Sequence, residues 1–168
     1  DISRGFLVAA KHRFADYAFV DYQVLDIEQA PERQGFAGRT FDVVIAFNVL
    51  HATRALAETV AHVHQLLAPG GLLLLQENTA PAAWVDLVWG LTPGWWRFSD
   101  HDLRPSYPLL SAAQWQGLLT ANGFAEVESL AADPQRNEIL ARQALLVARK
   151  AMPPRQPGTW LILADAGG

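Results

Sequence analysis

The sequence contains no cysteine among its 168 residues. A disulfide framework and a thiolate metal site are therefore both excluded. The absence fits a reducing cytosol, and a cytoplasmic location is expected. Charge is also scarce: charged residues make up 18% of the chain, and the net charge is -4. Without a basic excess, neither nucleic acid nor an anionic membrane surface is expected as a partner. Long apolar runs are missing too. The four leucines at residues 72–75 form one of the longest, far too short to span a bilayer. The first residues, Asp1-Ile2-Ser3-Arg4, do not open a signal peptide. Methionine occurs once, at Met152 and not at the start, and the chain stops on Ala164-Asp165-Ala166-Gly167-Gly168, directly after an apolar run. Both features lead us to expect a piece cut from a longer protein. What is present is apolar: hydrophobic residues make up 51% of the sequence. That is a globular composition, sufficient for one core of ordinary size.

The pattern along the chain alternates between helix and strand periods. Phe6, Leu7, Ala10, Phe14 and Tyr17 recur at three- and four-residue spacing, which predicts a helix capped by Ser3. Residues 19–26 read as a strand that ends on Asp26, followed by a loop with Pro31, Gly35 and Gly38. Phe41-Asp42-Val43-Val44-Ile45-Ala46-Phe47-Asn48 is nearly continuous and β-branched, as in a parallel strand covered by helices on both faces. Thr53 is placed to cap a helix whose inward residues are Leu56, Val60, Val63 and Leu67, and Pro69-Gly70-Gly71 should stop it. Residues 72–76 form the next buried strand. Strand, helix and strand with short connections imply a parallel sheet with right-handed crossovers. Residues 79–108 break this rhythm and hold Trp84, Trp89, Trp95 and Trp96 among prolines and glycines. A helix over residues 111–122, with Trp115, Leu118 and Leu119 inward, ends at Gly123. Residues 125–130 and 144–149 read as two late strands, antiparallel because they follow one another so closely. Between them, residues 133–142 read as a loop or a short exposed helix. Residues 151–158 are a linker by composition, and residues 159–164 look like the first strand of a separate unit.

In open α/β sheets, ligands bind beyond the carboxyl ends of the strands. The polar residues expected there are Asp1, Asp26, Asn48, His51 and Glu77. An acidic residue at such a place can accept from ribose hydroxyls or an adenine amino group, or can serve as a plain cap or loop carboxylate. His51 and Glu77 are the sharper pair. Imidazole suits proton transfer near neutral pH. A carboxylate on its other nitrogen fixes the tautomer and raises its basicity. The plainer alternative makes His51 a helix cap and Glu77 a solvated loop residue. His62 and His64 fall on the polar side of their helix and are expected in solvent. Asp100-His101-Asp102 offers metal-type ligands, but three in a row rarely converge on one ion, so no metal is expected. The tryptophan-rich stretch can line an apolar substrate channel or simply pack as a lid.

The run Phe41-Asp42-Val43-Val44-Ile45-Ala46-Phe47-Asn48-Val49-Leu50-His51-Ala52-Thr53 resembles the C-methyltransferase domains of type I modular polyketide synthases. So do Leu66-Leu67-Ala68-Pro69-Gly70-Gly71, Leu75-Gln76-Glu77-Asn78-Thr79 and Trp89-Gly90-Leu91-Thr92-Pro93-Gly94-Trp95-Trp96-Arg97-Phe98. The likeness covers residues 1–150, read as the C-terminal part of such a domain. It implies a Rossmann-like class I S-adenosylmethionine-dependent methyltransferase fold without its first strand, its glycine-rich cofactor loop or the N-terminal lid that helps enclose substrate. A linker over residues 151–158 and the opening strand of a ketoreductase region at residues 159–168 would follow. The family methylates the α-carbon of a β-ketoacyl chain carried on an acyl carrier protein, among neighbouring synthase domains. Its histidine–glutamate dyad maps onto His51, the base, and Glu77, its support. Asp1 matches the acidic residue for the cofactor ribose, and Asp26 the one near adenine. Ile27 then packs the ring, and Asn48 lies near the methionine end. Trp95 and Trp96 are candidates for the substrate channel. The alternative is a truncated, inactive remnant with a structural role beside the ketoreductase.

Overall fold

The computed structural model describes residues 2–131, 135, 137 and 140–153. Its four strands are β1 (Phe41–Phe47), β2 (Leu67–Asn78), β3 (Phe124–Ala131) and β4 (Gln143–Lys150). They form one sheet in the order β1-β2-β4-β3. β1 and β2 are parallel, and α2 (Leu56–Leu66) crosses between them. β4 inserts antiparallel between β2 and β3, as the short spacing of the late strands predicts.

Burial alternates along residues 71–78 of β2, and Leu73, Leu75 and Glu77 stand on its buried face. Two helices cover that face. α2 contributes Leu56, Val60 and Val63, while α4 (Ala112–Ala121) contributes Trp115 and Leu119. Ser111 starts α4 with a capping box: its Oγ accepts from the Gln114 N–H, and Gln114 Oε1 accepts from the Ser111 N–H. Gly71 lets β1 and β2 approach at their bulged start. A Cβ there would meet the carbonyl oxygens of Asp42 and Phe41 at 3.1 Å.

Several expectations need correction. β1 is not covered on both faces, because Ile45 and Phe47 stand 73% and 69% exposed on the open side. Residues 19–26 form no strand: residue 19 lies in a turn, and none of these residues joins the sheet, whose edge is β1. α1 (Arg4–Arg13) does start at Ser3, whose Oγ accepts from Phe6 N–H, but stops short of Phe14 and buries none of its residues. Thr53 does not cap α2. Its hydroxyl donates to the Leu50 carbonyl, and the Leu56 N–H is taken instead by Asp100 Oδ2 at 2.9 Å. α2 ends before Pro69, and residues 69–71 belong to the entry of β2. His62 and His64 are half-buried rather than solvated. His62 Nδ1 reaches the Ile27 carbonyl at 2.8 Å, and the His64 ring stands on Phe124. Asp1, the linker beyond Pro153 and the strand expected at residues 159–164 lie outside the described residues.

Candidate active site

Glu77 owes its place to the period of β2. The residues two and four before it, Leu75 and Leu73, are in the core, so Glu77 points the same way at the strand's carboxyl end. It is fully buried, yet each oxygen has a partner. Oε1 accepts from the backbone N–H groups of Val49 and Leu50, at 3.2 and 2.8 Å. Oε2 lies 2.5 Å from His51 Nδ1. A buried carboxylate is retained only when satisfied in this way. It also sets the tautomer: with Nδ1–H donating to the carboxylate, Nε2 of a neutral imidazole is a lone-pair acceptor. No described residue bonds Nε2.

The loop that carries His51 is held from two further sides. Asn48 turns the chain after β1 with a left-handed φ of 46°, a conformation asparagine tolerates. Its N–H donates to the Gln76 carbonyl, and its Oδ1 accepts from the Asn78 N–H at 2.9 Å. The Asn48 side-chain NH2 is thereby left free to face a ligand. Arg104 closes the other side. It is 1% exposed and donates to the carbonyls of His51, Thr53 and Arg54 at 2.8 to 3.0 Å, while Asp100 takes its Nε–H at 2.6 Å. Sequence reasoning missed this clamp. Its local signal was the i,i+4 spacing of Asp100 and Arg104. Asp100 is thus committed to Arg104 and to the start of α2.

His51 opens into a cavity of about 480 Å3, walled by Trp84, Val85, Trp89, Thr92 and Trp95, with Asn48, Asn78 and Gln143 at its polar end. Trp95 is buried, and its ring meets the His51 ring edge-on with centroids 5.5 Å apart. Trp96 is half exposed and does not line this cavity; its indole N–H donates to the Gly90 carbonyl. Tyr107, which supports both tryptophan rings, donates to Asp86, and burial pushes its phenol above the ordinary range. A second cavity, of about 490 Å3, holds Asp26 and Ile27, and Ala52 and Arg97 border both spaces. Gln34 pins the backbone of Asp26 through two 2.8 Å bonds. One carboxylate oxygen of Asp26 accepts from Glu28 N–H, and the other has no partner among the described residues. Among the described residues, no three His, Cys, Asp or Glu side chains cluster as metal ligands. No helix among them is long and apolar enough to cross a membrane.

The sheet, with two cavities at the carboxyl ends of its parallel strands, matches the class I S-adenosylmethionine-dependent methyltransferase fold of solved carbon methyltransferases. Residues 1–73 match the methyltransferase domain family. Within that class, the chain is similar to the carbon methyltransferases of polyketide synthases. The CurJ carbon methyltransferase structure is 49% identical over 90% of this chain and 40% of its own, with a TM-score of 0.85. The trans-methyltransferase CalH, solved in complex with SAH, is 40% identical with a TM-score of 0.80, covering 90% of this chain and 41% of its own. Highly reducing polyketide synthase ALT1 of Alternaria alternata is 43% identical over 92% of this chain. The chain spans about 6% of that synthase's length.

S-adenosylmethionine is the cofactor of this class, and the second cavity fits it. Leu25, Ile27, Val49 and Leu50 offer apolar walls to a purine, and the unpaired Asp26 oxygen offers an acceptor to its amino group or a hydroxyl.

Proposed function

We propose that the chain belongs to a domain that methylates the α-carbon of a β-ketoacyl thioester carried on an acyl carrier protein of a polyketide synthase, with neighbouring synthase domains as partners. The observation that carries the reading is the His51–Glu77 contact, in which the carboxylate is locked by two backbone N–H groups and the imidazole opens into an apolar cavity. His51 Nε2 takes the α-hydrogen as a proton, and the C–H electron pair passes into the enolate of the 1,3-dicarbonyl. Glu77 holds the ring and stabilises the imidazolium that forms. The bound cofactor supplies an electrophilic methyl group, which the α-carbon accepts as the C–S electron pair leaves with sulfur. His51 then releases its proton to water. Asp26 and Ile27 hold the adenosine, Asp1 the ribose, and Asn48 donates to the carboxylate of the methionine end. Trp95 keeps the acyl chain dry beside the base, and Trp96 borders the channel entrance. Residues 1–150 form the domain's C-terminal part, and residues 159–168 begin the ketoreductase region.

The test is His51→Ala in the intact synthase. Methyl transfer to a β-ketoacyl thioester should be abolished, while calorimetric titration with S-adenosylmethionine should give nearly unchanged affinity. Undiminished turnover would remove His51 from the base role. Absence of cofactor binding in the unmutated synthase would instead favour a structural remnant.

A further inference from the structure

We propose that Gln143 donates a hydrogen bond to the substrate carbonyl oxygen that becomes the enolate oxygen. This rests on the reading of His51 as the base. Gln143 opens β4 and pairs with Asn78, one residue beyond Glu77 on the neighbouring strand. It lines the same cavity as His51. Its amide orientation is set by a neighbour, because Gln143 Oε1 accepts from Gln76 Nε2 at 2.8 Å. Turning both amides would exchange a buried, unpartnered carbonyl oxygen on Gln76 for a buried, unpartnered N–H group. The N–H orphan is the rarer and costlier of the two. The acceptor end of Gln143 is therefore occupied, and its NH2 group has no partner among the described residues.

Proton removal from a carbon acid places the new charge on oxygen, several bonds from the base. A fixed donor at that oxygen acts in the transition state more than in the ground state. The other cavity residues serve less well. Asn48 is already assigned, in the proposed function, to the methionine end of the cofactor, Arg97 is engaged by Glu28, and nothing fixes which end of the Asn78 amide faces the cavity. Trp95, buried beside His51, lowers the local dielectric at this end of the cavity, which strengthens a single donor.

The test uses the full-length synthase that carries this chain and the acetoacetyl thioester of N-acetylcysteamine. Exchange of the α-hydrogens into deuterated water, above the buffer-catalysed background, is measured without methyl donor. Methyl transfer is measured separately. Gln143→Leu should slow both on the order of a hundredfold, with S-adenosylmethionine affinity unchanged. Gln143→Glu should be equally slow at about pH 8, where a carboxylate faces the enolate. Its rate relative to the unmutated protein should rise as pH falls toward the carboxyl range, near about 4.3, where the protonated acid donates again. A merely structural role would not produce that rise. Exchange and methylation by Gln143→Leu within about threefold of normal, well short of the loss of a working donor, would overturn the assignment, as would a flat pH ratio for Gln143→Glu. Should Gln143→Leu lose cofactor binding, the isosteric Gln143→Glu decides alone. His51→Ala in the same exchange assay separates the two readings. Loss there with retention in Gln143→Leu removes Gln143 only, whereas retention in His51→Ala removes the base.

Discussion

Glu77 accepts from Val49, Leu50 and His51 with a single carboxylate, so its chemistry and its structural duty are inseparable. Glu77→Gln divides them. The amide oxygen can still accept from the two backbone N–H groups, but its NH2 group would donate to Nδ1 and move the ring proton onto Nε2. The base would then carry its proton on the wrong atom. Methyl transfer should fall on the order of 10²- to 10⁴-fold, as measured by kcat on a β-ketoacyl thioester. A loss below about tenfold would place the tautomer outside the rate-determining chemistry. The pair was legible in the sequence as two residue types beyond two strand ends. The two N–H groups that lock the carboxylate were not, because backbone donors leave no mark in side-chain identity. Arg104 was likewise hidden, since a lone arginine in an aromatic stretch reads as a surface residue.

At the scale of elements, α2 is held by groups from outside itself. Asp100 accepts at its start, and Lys150 donates to the carbonyls of His64 and Leu67 at its end. His64, in its last turn, has its pKa held below 6.5 by burial first and by the Lys150 ammonium second. Folded and unfolded chains therefore both carry this side chain neutral above pH 6.5, and stability is complete there. As pH falls below 6.5 toward the folded value, the unfolded chain binds the proton first, and stability declines. Denaturation midpoints taken across that window should show an acid-side decline that His64→Gln flattens. An unchanged slope would remove His64 from the linkage. Sequence patterns located α2, α4 and all four strands of the sheet because each has a clear period and local stop signals. They misjudged residues 19–26, whose strand-like composition meets no neighbouring ladder, and the α2 cap, whose acceptor lies 44 residues away. Periodicity reports which face is apolar; it does not report what stands opposite.

At the scale of the whole molecule, Arg104 joins the loop of the base to the tryptophan-rich segment. Arg104→Met would leave three carbonyls and Asp100 without their buried partner. It should cost about 3–5 kcal/mol and lower Tm by roughly 10 °C, and methyl transfer should weaken even where the chain stays folded. Scanning calorimetry checks the first effect; a shift of under about 2 °C would mean that water replaces the guanidinium. The same tie bears on synthesis. Arg104 follows His51 by 53 residues, so at about 5–20 residues per second the ribosome needs roughly 3–10 s to deliver it. The histidine loop emerges well before the side chain that immobilises it, and a nascent chain of this protein carries His51 unset until the tryptophan segment has been made and has docked.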